Sequence, residues 1–222
     1  MSPIQRTAGL RGARFQAVSA RSRSAGVGWT LWGFLPHFLP RLGSGTKAIA
    51  SAAVAVGALR ASRRSDGTIK EALMVIHRTL KEMPGPQAEM SAVIAHWDPA
   101  NRELALANCG HVPPVVIRND GTRRKAEGPE GPWPRGRSAP EPAERSTTLA
   151  AGDRLIMVSD SVVSEGKKKA GLGIDGLLEA AQHFQGATDP GTVREIDSAV
   201  LDATGGDLDD DATAVCLAIT QP

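Results

Sequence analysis

The chain has 222 residues, with 26 Lys and Arg against 24 Asp and Glu, a formal net charge of +2. That balance hides a division: residues 1–65 hold ten Lys or Arg and no acid, so residues 66–222 hold 16 basic and all 24 acidic side chains, a net of −8. Because the first acid is Asp66, any chemistry that needs a carboxylate from the first 65 residues is excluded.

Residues 1–42 form a basic, acid-free segment with no element of its own in the sequence pattern. Val27 to Leu42 is apolar and aromatic, but Pro36, His37 and Pro40 interrupt it. It falls short of the roughly 18 uninterrupted apolar residues that span a bilayer. A transit peptide and a basic arm for nucleic acid both suit the composition. Gly9, Gly12, Gly26 and Gly28 argue against the amphipathic helix of the first, and scattered basic residues without stacking aromatics against the second.

From residue 43 the text is legible as one domain, 43–222. Gly43-Ser44-Gly45-Thr46 leads into an alanine-rich helix, Lys47 to Ser62, apolar nearly all round and so expected to be buried. Thr68 and Glu71 form a capping box for a second helix, whose Ile69, Ala72, Leu73, Ile76 and Leu80 keep helical spacing up to Pro84-Gly85-Pro86. The period then changes to that of strands: Met90 to Trp97, Glu103 to Asn108 and Pro114 to Arg118, with a turn at Asp98-Pro99-Ala100-Asn101 and a hairpin signal at Asn119-Asp120-Gly121. A Pro/Gly loop fills 128–142. Strands follow at Arg145 to Leu149 and Arg154 to Ser159, the second ending on Asp160. Helices at Ile174 to Phe184 and Pro190 to Ala203 precede Asp207-Leu208-Asp209-Asp210-Asp211 and a final central strand, Ala212 to Thr220. Helices, then strands, then helices, then one strand predict an α+β layered sandwich rather than a doubly wound α/β sheet.

With no Tyr, four Trp and four Phe, the core must rest on Ala, Val, Leu and Ile. Cys109 and Cys216 show no metal-ligand or CxxC spacing, so both read as small buried residues in a reducing, cytoplasmic setting.

The candidate chemistry is carboxylate chemistry. Asp160 ends one apolar strand and Asp210 precedes another, so the two can converge on a hard divalent cation, which takes oxygen ligands. The alternative is that Asp160 opens a turn and the acidic run is a solvated loop. Asn108-Cys109-Gly110-His111-Val112-Pro113-Pro114 places His111 near a possible site or simply builds a turn. Gly43-Ser44-Gly45 opens a helix and can form an anion nest from backbone N–H groups, but it lacks the spacing of a nucleotide-binding loop. Lys167-Lys168-Lys169 reads as an exposed loop. No nucleophile elbow, zinc signature or dinucleotide fingerprint is present.

Taken together, three segments resemble the bacterial metal-dependent protein phosphatase family (PPM, protein phosphatase 2C-like), in its SpoIIE-like branch. They are MSAVIAHWDPANRELALANCGHVPPVVIRNDG at 90–121, LAAGDRLIMVSDSVVSEG at 149–166 and DDATAVCLAI at 210–219. The resemblance implies a four-layer αββα sandwich of two antiparallel sheets flanked by helices, with a degenerate N-terminal part. It implies hydrolysis of phosphoserine or phosphothreonine on a regulatory protein of the anti-anti-sigma type, with two Mn²⁺ or Mg²⁺ ions.

Matched by motif, Asp160, Asp210 and Gly43 become metal ligands, and His111, Ser44, Gly45 and Asp211 become phosphate-binding or supporting residues. Ser161 stands where the family has glycine. Two further aspartates of the family pattern have no counterpart. Pro40 occupies one position, and the other falls near Gly28 and Trp29. The resemblance therefore implies an incomplete metal site holding one cation or none, with weak or lost activity. A non-catalytic module that binds a signalling partner is the alternative. A third reading is that residues 18–42 are an out-of-frame stretch of the gene. Neither nucleic acid nor membrane is expected as a partner, and the oligomeric state stays open, a homodimer being one candidate.

Overall fold

A computed structural model describes residues 14–21, 46–65, 68–83, 91–98, 100–126, 145–163, 171–180, 189–205 and 212–220. The predicted helix stop at Pro84 to Pro86 and the loop at 128–142 lie outside these residues. The chain divides into two compact units: residues 27–111 with 127–148, and residues 1–26 with 112–126 and 149–222.

The first unit is two helices on a three-stranded antiparallel sheet. Helix α1 spans Thr46–Arg64 and helix α2 spans Ile69–Glu82. The capping box is formed as expected: Glu71 N donates to Thr68 Oγ1 at 3.2 Å, and Thr68 N donates to Glu71 Oε2 at 2.7 Å. The bonds that Thr68 N and the Thr68 hydroxyl donate to Glu71 Oε2 hold the Glu71 carboxyl below its usual range, and the box satisfies backbone donors that every helix start leaves unpaired. Strands β2 (Ala92–Asp98), β3 (Glu103–Cys109) and β6 (Arg145–Thr148) pair in the order β2-β3-β6, with Ile94 opposite Ala107 and Leu104 opposite Thr147. Leu59, Leu73, Ile76 and Leu80 pack on Ala92, Ile94, Ala105 and Ala107. Each large side chain fully buried in this way stabilises by about 1.5–3 kcal/mol before its entropy cost. The small residues on the strands let the helices approach closely.

Helix α1 corrects one expectation. It is not buried all round: Ser51, Ala55, Ala58, Leu59 and Ser62 face inward, while Ala50, Ala53, Gly57 and Ala61 are exposed. Alanine is tolerated on a solvent face because its helix propensity is the highest and its side chain is small, so an alanine-rich stretch does not announce which face is covered.

The second unit is a five-stranded sheet with three helices. Strands β1 (Arg14–Arg21), β4 (Val115–Ile117), β5 (Arg123–Lys125), β7 (Arg154–Val158) and β8 (Thr213–Thr220) take the order β1-β8-β7-β4-β5. Helices α3 (Asp160–Val163), α4 (Gly173–Ala180) and α5 (Asp189–Thr204) supply Val162, Leu177, Val193, Ile196 and Val200 to a core with Val115, Ile117, Ile156, Val158, Ala214 and Cys216. Val116, Leu155, Met157 and Leu217, which alternate with these, are buried as well. Both faces of the sheet are therefore covered. The fold class is the expected one, α+β with two antiparallel sheets and flanking helices. One pair departs from the pattern: β1, which the sequence pattern did not reveal, runs parallel to β8 from Arg14 opposite Thr213 to Arg21 opposite Thr220. No helix among the described residues is long and apolar enough to cross a membrane.

Candidate functional site

Asp160 is placed by a clasp between two strands. In the antiparallel register of β7 and β8, Val158 lies opposite Ala214. One residue further, Ser159 N donates to Thr213 O at 2.8 Å and Thr213 N donates to Ser159 Oγ at 2.8 Å. Ser159 is buried, and its hydroxyl replaces the ladder bond that β7 no longer offers as the chain turns. Val162 N then donates to Ser159 O at 3.1 Å, which opens α3 with Asp160 as its first residue and half-buried. The C-terminal end of β7 and the N-terminal end of β8, two interior strands, thus meet at one end of the sheet. Leu172 N donates to Val162 O at 3.1 Å; Lys167, Lys168 and Lys169 lie outside the described residues. Ser159 and Thr213 were not singled out from sequence. They are the serine of GDxLxxxSD and the threonine of DDAT, and the motifs themselves were the signal.

Asp153, the aspartate of the same GDxL stretch, has a structural role. It is 2 % exposed. Its Oδ2 accepts from Arg118 Nη1 at 2.8 Å and from Ala150 N at 2.8 Å, and its Oδ1 accepts from Asn119 N at 2.9 Å. Its carbonyl accepts from Ile219 N at 2.9 Å. The carboxylate therefore ties the β4–β5 hairpin to the turn before β7, and the main-chain carbonyl of the same residue ties that turn to the end of β8. Gly152 permits this turn through φ +90°, and its N donates to Ile219 O at 2.7 Å. The hairpin has its own lock: Asp120 Oδ1 accepts from Thr122 N at 2.8 Å, a bond that holds the Asp120 carboxyl below its usual range.

His111 belongs to the other unit and sits in a loop stapled by Asn108. Asn108 Oδ1 accepts from His111 N and Asn108 Nδ2 donates to His111 O, each at 2.8 Å, while Gly110 takes φ +71° between them. His111 is buried, with Nδ1 3.0 Å from Ser91 Oγ. The motif is thus a built turn, which was one of the two readings of its sequence. Cys109 beside it is fully buried, and burial pushes its thiol up to about 12. Both cysteines are free and buried, as expected.

Of the predicted site residues, Asp160 and His111 are described, in separate units. Gly43, Ser44, Gly45, Asp210 and Asp211 lie outside the described residues. Among the described residues, no three His, Cys, Asp or Glu side chains gather as a metal-binding group.

Solved structures share this fold. The RsbU and RsbW domains of Rv1364c from Mycobacterium tuberculosis align with TM-score 0.71 at 21 % identity, over 94 % of this chain and 60 % of that one. The chain therefore spans less than two thirds of that protein. The SiaA-PP2C domain of Pseudomonas aeruginosa aligns with TM-score 0.68 at 14 % identity, over 86 % of this chain and 85 % of that one. The catalytic domain of the serine threonine protein phosphatase PstP, in complex with 2 manganese ions, aligns with TM-score 0.55 at 13 % identity, over 85 % of this chain and 94 % of that one. At these identities the likeness defines a PP2C-type phosphatase fold. The sequence pattern of one family, Stage II sporulation protein E (SpoIIE), matches residues 42–220, and the chain belongs to that family.

Proposed function

We propose that the chain is a phosphoprotein phosphatase-type domain that acts in the cytoplasm on phosphoserine or phosphothreonine of a regulatory protein of the anti-anti-sigma type. The observation that carries the reading is the Ser159–Thr213 clasp. It sets Asp160 at the end of the sheet where β8 begins, and Asp210 and Asp211 lie just before that strand in sequence. Carboxylate oxygens suit Mn²⁺ or Mg²⁺, and Asp160 and Asp210 are the proposed ligands. Gly43 is a further proposed ligand through its carbonyl, and Ser44, Gly45, His111 and Asp211 are assigned to the phosphate or to support. Such a cation, when bound, polarises a phosphoryl oxygen. The chain's own contribution is positional: Ser159 and Thr213 fix where the Asp160 carboxylate stands, and Asn108 fixes the His111 loop.

A second reading, a non-catalytic module that binds the same phosphorylated partner, is favoured by one observation: no acid precedes Asp66. Hydrolysis of an aryl phosphate and of a phosphorylated regulator, followed across millimolar Mn²⁺ and Mg²⁺, separates the two. The enzymatic reading expects Mn²⁺-dependent turnover that Asp160→Asn and Asp210→Asn each lower by about 100-fold or more, since even groups that only support a metal ligand cost 10–100-fold. No turnover, with chelator-insensitive binding of the phosphorylated regulator, selects the second reading.

A further inference from the structure

We infer that the outer side of β5 is a docking strand: an acidic, extended segment of the phosphorylated regulator adds to it antiparallel and leads the phosphoresidue toward the sheet end that carries Asp160. The inference rests on the phosphatase-type reading above and names how that site selects its substrate. Strand β5 is the last in the order β1-β8-β7-β4-β5, so among the described residues one of its sides has no neighbouring strand. Which groups it turns outward follows from the hairpin ladder. Arg118 N donates to Thr122 O at 2.8 Å and Ala126 N donates to Pro114 O at 2.6 Å, so 118/122 and 114/126 are hydrogen-bonded pairs. By antiparallel alternation Val116 and Arg124 form the bonded pair between them, and the N–H and C=O groups of Arg123 and Lys125 point away from β4. Those main-chain groups are what an added strand needs.

The side chains decide what that strand should carry. All three residues of β5 are basic, and residues 114–126 hold four Lys or Arg against one acid, inside a stretch, 66–222, whose net charge is −8. Arg118 is engaged by Asp153, and half-buried Arg123 donates from Nη1 to Leu178 O at 2.7 Å. Arg124 and Lys125 are exposed. Lys125 pairs with Asp175 at 3.7 Å, but the Asp175 side chain is 87 % exposed and water screens the pair. Edge charges also keep like strands apart; the same charges admit a strand whose acids lie opposite them.

Position links this edge to the proposed chemistry. Ile156, Val115 and Lys125 form one row across β7, β4 and β5, so the Lys125 end of β5 is the sheet end that carries Ser159 and Asp160. Three strand spacings across and four residues along put Asp160 on the order of 20 Å from a segment added opposite Lys125, a span of about six extended residues. An antiparallel chain enters from that end, so its acids should follow the phosphoresidue by about six positions.

The experiment reads binding rather than turnover. The full chain is titrated into a fluorescent phosphothreonine peptide whose acidic run begins about six residues after the phosphoresidue. The expected result is saturable binding that weakens with salt. Arg124→Glu combined with Lys125→Glu should weaken it by about 10-fold or more, as should moving the acids to the other side of the phosphoresidue. A net hydrogen bond is worth about 2–12-fold. N-methylation of alternate amides in the acidic run should therefore weaken binding by about 10-fold in one register and leave it nearly unchanged in the other. That arm uses the unsubstituted chain, so no effect of a substitution on folding enters it. Equal affinity in the two N-methyl registers, indifference to the side on which the acids lie, or self-association of the chain that the double substitution abolishes overturns the inference. Failure of the phosphatase-type reading looks different: no aryl phosphate turnover with Mn²⁺ and no preference for the phosphorylated peptide, with the two N-methyl registers still distinguished.

Discussion

Removing the Asp153 carboxylate should loosen the second unit more than any single change at its proposed site. In Asp153→Ala, the Asn119 and Ala150 N–H groups and one arm of the Arg118 guanidinium lose their acceptors together. Breaking a buried ion pair from one side costs about 3–5 kcal/mol. Here the Arg118 side chain is 26 % exposed while that of Asp153 is 3 % exposed, so water recovers much of the guanidinium's loss and the lower end applies, about 3 kcal/mol. For a chain of this length that is a fall in Tm of about 6–12 °C. Arg118→Ala should cost less, because the carboxylate keeps its two backbone donors. Urea denaturation of the two single variants and the double variant gives the coupling between them, provided m is unchanged. A loss below about 1 kcal/mol for Asp153→Ala would refute the claim that this carboxylate holds the β4–β5 hairpin to the turn before β7.

Gly152→Ala combines a φ of +90° with a Cβ only 2.5 Å from Asn119 Oδ1, and should cost about 1–3 kcal/mol. Adding Asn119→Ala should recover part of the loss by removing the clash, leaving the backbone term. Cys109, with its thiol pushed up to about 12 by burial, should not react with a disulfide reagent at pH 8 in the native protein and should react at once in denaturant. Partial burial raises the Asp197 carboxyl above its usual range. A folded pKa above the unfolded one means that ionisation disfavours the fold, so stability contributed by the neutral form is lost as pH rises through that range. Asp197→Asn should therefore raise Tm slightly at pH 7, by no more than about 0.5 kcal/mol in stability, with no gain at pH 3, where aspartate is also neutral.

The sequence was most readable where local chemistry decides structure. The Thr68–Glu71 box, the Asn119-Asp120-Gly121 hairpin and the alternating apolar strands each carry their own signal within a few residues. What it concealed depends on partners far away in the chain. Strand β1 has no alternation to mark it, and its pairing is supplied by β8 about 200 residues later. The exposed face of α1 was hidden because alanine fits either environment. At the site, Asp160 stood out as a carboxylate at a strand end. The residues that position it did not, because a serine and a threonine gain meaning only once the register of β7 on β8 brings them together.

The pairing of β1 with β8 has a consequence for biosynthesis. Arg14 and Thr213 are 199 residues apart, and ribosomes deliver about 5–20 residues per second. The earliest strand of the second unit therefore leaves the ribosome on the order of 10–40 s before its neighbour exists. Throughout that interval the first unit, whose helices and sheet lie almost wholly between residues 46 and 148, can close on itself. Vectorial synthesis thus imposes an order in which the unit bearing His111 matures first, and the sheet end bearing Asp160 is completed only once β8 has emerged.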